Sequence, residues 1–421
     1  MQFRPLLLTT AAAIVFTACS GGGATTAPSV APSVAPSSAP AATATPDAPS
    51  MAPAPMTDGA AADLRTALNL KLGEHIILAA KVTGAALDGR SDEFAAYGGL
   101  LNANGTDLGA MIGSVYGDAA KDEFNRIWSA HNGFFVDYTT GVATNDMAMQ
   151  DKAVQDLTTV YVPEFSTLIA GATGLPQDAV EGLVTDHVVQ TKAIVDAQAG
   201  KDFEGAYAAL RTAFGHMQMI GDALATAIVG QNAATFDGEV DSPAVSFRVA
   251  LNQLLQEHLF IASATTGAAL DGRSEEFAAA GAVLNTNGTD LGAAIGSLYG
   301  DAAKDEFNRI WSAHNGFFVD YTTGVATNDQ AVKDKAVQDL TTVYLPEFSA
   351  FIAGATDLPL DAVTALVEDH ILTTAAIVDA QAGGDWEAAA AADRSAAEHM
   401  QMIGDPLAAA IVAKFPDAFA N

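Results

Sequence analysis

The eight histidines of this 421-residue chain are the residues whose type and spacing best suit chemistry. They form two sets of four, and each member of the second set lies 183 positions after its counterpart, as His258 does after His75. The sets are His75, His131, His187 and His216, and His258, His314, His370 and His399. Imidazole is the commonest metal ligand in proteins and suits zinc, copper and nickel. The pattern therefore predicts a transition-metal site in each half of the chain.

The segments around the histidines repeat as well. The sequence WSAHNGFFVDYTTG occurs at 128–141 and again at 311–324, inside a longer identical run that covers 116–146 and 299–329. The same shift aligns the chain with itself from about residue 65 to about residue 228. This self-similarity predicts two repeats, at 58–230 and 243–421, joined by a linker at 231–242.

The elements that must position the histidines have helical spacing. Apolar residues recur at gaps of three and four, as in Leu68, Leu72 and Val82, and no alternating strand pattern is found. Gly, Asn and Asp breakers divide each repeat into six helical passes of roughly 25 residues. We therefore expect an all-α fold of two tandem up-and-down bundles, ferritin-like or of four to six helices. Pro163 should kink or split the fourth pass.

Each histidine lies about 14 residues from a helix end, and equal distance from a turn means equal height at about 1.5 Å per residue. The four histidines of a repeat are therefore expected in one layer, each on an apolar stripe. Buried ring nitrogens need partners, and an ion at the centre of the layer would satisfy four together. The alternative is that they are core histidines that bind nearby Asn, Thr or carboxylate groups.

The sequence favours copper, with zinc or a b-type haem as alternatives. No Glu precedes a histidine by three residues, which excludes the carboxylate-bridged di-iron pattern, and Cys-x-x-Cys-His is absent. Thioethers favour Cu(I), and HMQMIGD supplies candidate ligands beside His216 and His399. These candidates are Met217, Met219, Met400 and Met402. Residues expected to support the ligands by hydrogen bonds are Asn102, Asp137, Tyr138, Asn285, Asp320 and Tyr321. Because the last two passes form a hairpin, His187 and His216 are expected to lie within metal-binding reach of each other.

The charge of the chain excludes one class of partner. It has 19 Lys and Arg against 50 Asp and Glu, a formal net charge of −31. Nucleic-acid phosphates require a basic surface, and anionic lipid headgroups do too. We therefore expect no nucleic acid partner and no membrane binding beyond an anchor.

The N-terminus supplies such an anchor. Residues 1–18 have the positive start and short apolar core of a secretory signal. The sequence FTAC at 16–19 resembles the lipobox of bacterial lipoproteins, although Phe16 replaces the usual Leu. The resemblance implies lipidation of Cys19, export, and attachment to the outer membrane or cell surface, near other envelope proteins. The alternative is an ordinary cleaved signal with an incidental cysteine. The Ala-, Pro-, Ser- and Thr-rich segment 19–57 is expected to be a disordered tether.

LNQLLQEH (251–258), WSAHNGFFVDYTTG and HMQMIGD resemble a poorly characterised group of secreted bacterial helical repeats, some of them labelled copper amine oxidase-like. The resemblance implies export, helical repetition and copper. The cofactor-tyrosine motif of amine oxidases is not seen in the sequence.

Three functions remain open from the sequence. The first is a copper-binding envelope lipoprotein for metal buffering or redox protection. The second is an enzyme at the same sites, a copper-dependent oxidoreductase of the superoxide dismutase type, although the acidic surface would repel the superoxide anion. The third is a structural or assembly subunit of the cell envelope.

Overall fold

The computed structural model describes residues 55–420, and every regular element in this range is helical. The prediction of an all-α fold is confirmed. The helices of the first repeat are α1 (Ala60–Leu87), α2 (Ser91–Tyr116), α3 (Asp118–Ala143), α4 (Met147–Asp156), α5 (Val162–Thr173), α6 (Gln177–Ala199) and α7 (Phe203–Gln231). Those of the second are α8 (Pro243–Leu270), α9 (Ser274–Tyr299), α10 (Asp301–Ala326), α11 (Gln330–Asp339), α12 (Leu345–Thr356), α13 (Leu360–Ala382) and α14 (Trp386–Lys414). The signal segment and most of the tether, with Cys19, lie outside the described residues.

The helix ends coincide with the breakers in the sequence. The Asp146 side chain accepts a hydrogen bond from the Met149 backbone N–H and caps α4. Asp202 caps α7 in the same way. Gly117, at φ +86°, ends α2 and begins α3 in a conformation that L-residues rarely adopt. These caps and turns produce the short connections of an up-and-down bundle.

Pro163 does not break the fourth pass. A π-helical turn, Leu157–Tyr161, joins α4 to α5 into one continuous pass. Because Pro163 has no N–H to donate, the chain widens by one residue just before it, and the Val162 N–H reaches Leu157 O. The same turn occurs at Leu340–Tyr344 in the second repeat. The expected kink is therefore a local widening, which changes the direction of the side chains that follow.

Helix α1 lies at the centre of its repeat. It packs against α2, α3, α6 and α7, and its equivalent α8 packs against α9, α10, α13 and α14. A helix contacted on so many sides is buried around most of its circumference, polar residues included. Even so, none of the described helices is long and apolar enough to cross a membrane.

The two repeats pack directly on each other. Helix α1 contacts α8, α2 contacts α14, and α7 contacts α9, which is the pairing that a two-fold axis would produce. One hydrophobic core contains residues of both repeats. Arg65 and Arg248 occupy equivalent positions at this contact: Arg65 donates to Ser246 across it at 3.0 Å and Arg248 to Asp63 at 2.6 Å. The chain thus resembles a dimer built into one polypeptide.

Candidate metal centre

Three histidines of each repeat converge. One ring atom of each lies within 4.8 Å of the others in the first cluster (His75, His131 and His187). Its ring centroids are 5.4 to 5.9 Å apart. The second cluster (His258, His314 and His370) has the same arrangement, with centroids 5.4 to 6.1 Å apart. The rings project from α1, α3 and α6, or from the equivalent α8, α10 and α13. Each cluster is a set of three nitrogens that could hold one metal ion.

A backbone carbonyl fixes the tautomer of one ligand. The Nδ1 of His131 lies 2.8 Å from the Trp128 carbonyl oxygen, and His314 lies 2.9 Å from that of Trp311. Because a carbonyl oxygen only accepts hydrogen bonds, Nδ1 carries the proton and Nε2 carries the lone pair. A histidine that binds a metal commonly donates its other ring N–H to such an acceptor. The Trp128 carbonyl therefore presets His131 as an Nε2 ligand.

The other two histidines bury ring nitrogens that have no hydrogen-bond partner. These are Nδ1 of His75 and Nε2 of His187, and the same atoms of His258 and His370. The Nδ1 of His187 lies 3.5 Å from the Thr191 hydroxyl, whose own hydrogen goes to the His187 carbonyl. The hydroxyl can therefore only accept from Nδ1, which leaves the lone pair on Nε2. Unsatisfied buried nitrogens are rare in proteins, and here they recur in both repeats.

Burial keeps these imidazoles neutral. Desolvation lowers the pKa of His187 to about 3, helped by the neighbouring His131 and His216. It lowers the pKa of His131 to about 4, although the bond to the Trp128 carbonyl acts in the opposite direction. The pKa of His75 lies well below its ordinary value for the same reason, with His131 and His187 contributing. At neutral pH all three rings are therefore in the uncharged form that binds metals.

Aromatic side chains surround each cluster. The Trp128 ring lies 4.6 Å from His75 and 4.8 Å from His131, centroid to centroid. Tyr161 stacks on His131 at 4.5 Å, and Phe135 meets it edge-on at 6.0 Å. Sequence reasoning missed these residues as parts of the site. Two signals pointed to them: Trp128 lies one turn before His131, and Tyr161 lies at the height of the histidines in the fourth pass. These aromatic rings thus form much of the wall of each cluster.

No family model, curated protein or solved structure gives a match to this chain. The chemistry of the clusters therefore has to be argued from their own geometry.

The fourth histidine of each repeat does not join its cluster. His216 Nε2 lies 2.8 Å from the Leu183 carbonyl oxygen and donates to it, as His399 does to Leu366 at 2.9 Å. The expected four-histidine layer is thus a group of three, and neither group includes His216 or His399, so the expected pair of His187 and His216 does not share one. Equal height along a bundle leaves the rotation of each helix open. His216 and Met217 are both buried, at 6% and 2% exposed, and the His216 ring turns towards the Leu183 carbonyl of α6 rather than into the group of three.

Of the four candidate methionines, two are exposed and two are buried. Met219 and Met402 are 60% and 62% exposed and point away from the clusters, so they are not ligands. Met217 and Met400 are buried, and each lines a cavity that also touches a cluster histidine, His187 or His370.

The expected supporting residues lie elsewhere. Asn102, Asp137, Asn285 and Asp320 are exposed. Tyr138 is buried, but its hydroxyl donates to Asp196 at 2.5 Å rather than to a histidine, and Tyr321 likewise donates to Asp379 at 2.9 Å.

The buried amide on α2 is Asn104 instead. It donates to Glu74 at 2.8 Å and to the Lys71 carbonyl at 2.9 Å, and Asn287 repeats the bond to Glu257. These bonds fix α2 to the turn of α1 that carries His75. They position the site without entering it.

Proposed function

We propose that the protein is an exported, lipid-anchored envelope protein that binds one transition-metal ion, copper, at each histidine cluster. The observation that carries the proposal is the convergence of three buried, neutral imidazoles, two of which have nitrogens without partners. A bound ion would satisfy those nitrogens in one step. Ordinary core histidines would instead have hydrogen-bond partners, as His216 does.

The charge balance of the site supports copper in its reduced state. Among the described residues, neither cluster includes a carboxylate or a thiolate. Three neutral ligands leave the charge of the ion uncompensated, and the desolvation penalty rises with the square of that charge. The smaller uncompensated charge supports Cu(I), although three neutral imidazoles are also a ligand set for Zn²⁺.

The space around the clusters supports an ion rather than a haem. The cavities that touch cluster histidines measure about 30 Å³ in the first repeat and about 30 and 80 Å³ in the second. A porphyrin is several times larger than any of them. A single ion needs no more room than the gap between the rings.

Burial and surface charge support storage of the metal. The cluster histidines are at most 4% exposed, so a polar substrate has no direct access to the ion. The net charge of −31 raises the local concentration of cations around the protein. With the lipobox-like FTAC and the segment 19–57 as anchor and tether, the combination favours copper buffering at the envelope.

Elemental analysis of three forms of the protein tests the proposal. After anaerobic loading with Cu(I), the unchanged chain should hold one ion per cluster. His187→Leu should lose the ion of the first repeat, and the double variant with His370→Leu should lose both. The matched control is His216→Gln, which keeps a donor for the Leu183 carbonyl and should hold as much copper as the unchanged chain. Unchanged copper content in the double variant would refute the sites, and preferential retention of zinc would refute copper.

A further inference from the structure

An apolar cavity adjoins each histidine cluster, and the two cavities differ in size. The one in the second repeat measures about 80 Å³ and ends at His370, Trp311 and Tyr344. Its counterpart in the first repeat measures about 30 Å³ and ends at His187 and Trp128. Both are lined almost entirely by aliphatic and aromatic side chains. The repeats thus have similar clusters with unequal space beside them.

Four lining positions differ between the repeats, and Ala294 is the one at which the second repeat has the smaller side chain. Ala294 lines the larger cavity, and the equivalent position in the first repeat is Met111, whose side chain packs against the core. Alanine lacks the γ-carbon, sulfur and terminal methyl of methionine. A shorter side chain in a packed interior leaves its volume as a void unless the neighbours move in.

The larger cavity also reaches towards the surface. Three aliphatic positions of the lining are buried in the first repeat and half-buried in the second. They are Leu68, Ile112 and Leu224 in the first repeat, and Leu251, Ile295 and Leu407 in the second. Since the residue types are the same, the difference lies in how well the lining is covered.

We propose that the cavity of the second repeat admits a small, uncharged apolar molecule of the size of dioxygen to the metal at the second cluster. An ion held by three protein ligands keeps a position open for a further one. Cavities lined only by apolar groups stay dry and bind apolar guests such as xenon. The first repeat, with Met111 in place, holds its ion without such access. This inference rests on the proposed metal binding, and it assigns gas binding to one repeat only.

Xenon tests the cavity without any metal. In crystals of the metal-free chain pressurised with xenon, we expect xenon in the second repeat and none in the first. Ala294→Met should abolish the xenon site, and Met111→Ala should create one in the first repeat. Xenon in both repeats of the unchanged chain, in neither, or in the second repeat of Ala294→Met would overturn the inference.

Carbon monoxide tests access to the metal. In the anaerobic Cu(I)-loaded chain, infrared spectra should show carbon monoxide bound to copper in the second repeat only. Ala294→Met should lose this band while its copper content stays the same, and Met111→Ala should gain a second band. If the unchanged chain bound no copper, the proposed function would fail. If copper were present and carbon monoxide bound equally to the chain and to Ala294→Met, this inference alone would fail.

Discussion

At the scale of single residues, one ring nitrogen of His75 and one of His187 have no hydrogen-bond partner. These nitrogens would favour metal binding, but they lower the stability of the metal-free chain. A buried polar atom without a partner destabilises a fold by about 1–3 kcal/mol. A residue kept for its hydrogen bonds should be costly to replace by an apolar one. In the metal-free chain, replacing a histidine whose role is to bind a metal should cost little stability.

His187→Leu should therefore leave the free energy of unfolding of the metal-free chain unchanged or raise it by about 1 kcal/mol, because leucine has a similar volume and no unsatisfied nitrogen. Urea unfolding in the presence of a chelator measures this. His216→Gln is the control and should change stability little, because the amide can still donate to the Leu183 carbonyl. A loss of more than about 2 kcal/mol in His187→Leu would identify the ring as an ordinary core residue.

The same rings make the metal-free chain sensitive to acid. Burial holds the pKa of His187 at about 3 and that of His131 at about 4, whereas an unfolded histidine has a pKa of about 6.5. Below pH 6.5 the unfolded chain takes up protons that the folded chain does not. Stability is thus complete above this pH and is lost as the pH falls towards 4, by up to about 1.4 kcal/mol per histidine for each pH unit. The thermal unfolding midpoint, followed from pH 7.5 to 5 with chelator, should fall steeply, and less so in His187→Leu. Equal pH profiles for the two proteins would contradict the burial argument.

The histidines themselves could be found from the sequence, because they recur in both repeats and fall at equal distances from the helix ends. Their orientation could not. His216 is buried as expected, yet its ring turns to the Leu183 carbonyl of α6, because equal height does not fix the direction in which a side chain points. That direction is set by the packing of α7 against α1 and α6, which no local pattern encodes.

At the scale of elements, the π-helical turn Leu157–Tyr161 brings Tyr161 onto His131. The extra residue in the turn rotates everything after it relative to a regular helix. Pro163 predicts an irregularity in the helix, but the form of that irregularity depends on which carbonyl oxygen accepts the Val162 N–H. That hydrogen bond is set by the packing of the helices, which the local sequence does not encode.

Deletion of Thr159, an exposed residue of the turn, should convert it to a regular helix and move Tyr161 away from His131. Copper affinity of the first cluster should fall at least about tenfold, or about 1.4 kcal/mol, while the second cluster serves as an internal reference. Thr159→Ala keeps the length of the turn and should retain full affinity. Competition titration with a copper(I) chelator measures both. Equal affinities for the deletion and Thr159→Ala would show that the turn has no part in the site.

At the scale of the whole molecule, the contact between the repeats is symmetric in its helices and asymmetric in its chemistry. The ammonium of Lys81 lies 2.6 Å from the Asp393 carboxylate, which also accepts from Tyr97 at 2.6 Å and from Ser263 at 2.9 Å. Asp393 is fully buried. The equivalent positions in the other half of the contact are Ala264 and Leu210. At these two positions one half has a buried ion pair and the other has apolar side chains, whereas both halves carry an arginine pair, Arg394 with Asp107 and Arg211 with Asp290.

Asp393→Leu should destabilise the chain by about 3–5 kcal/mol, because it leaves the buried Lys81 ammonium without a carboxylate, with only the Ser263 and Tyr97 hydroxyls as acceptors. The double variant that also carries Lys81→Ala copies the residues of the other half and should recover most of the loss. Denaturant unfolding of both variants measures this. A double variant as unstable as the single one would mean that the ion pair is not the source of the effect.

The proposed lipid anchor concerns the whole molecule. Cys19→Ser should move the protein from the membrane fraction to the soluble fraction of the cell envelope, because a serine cannot carry the thioether-linked lipid. Cell fractionation followed by immunoblotting measures the distribution. Continued membrane association of the variant would refute lipid anchoring at Cys19.

The pairing of α1 with α8, α2 with α14 and α7 with α9 has a consequence for ancestry. It is the arrangement that results when two subunits of a symmetric homodimer are joined end to end by gene duplication. In a homodimer every substitution appears twice, so its two sites must stay alike. After fusion each half can mutate alone. The pair of Lys81 and Asp393, or the difference between Ala294 and Met111, could then arise in one half only. Duplication thus allows the sites of the two copies to diverge from each other.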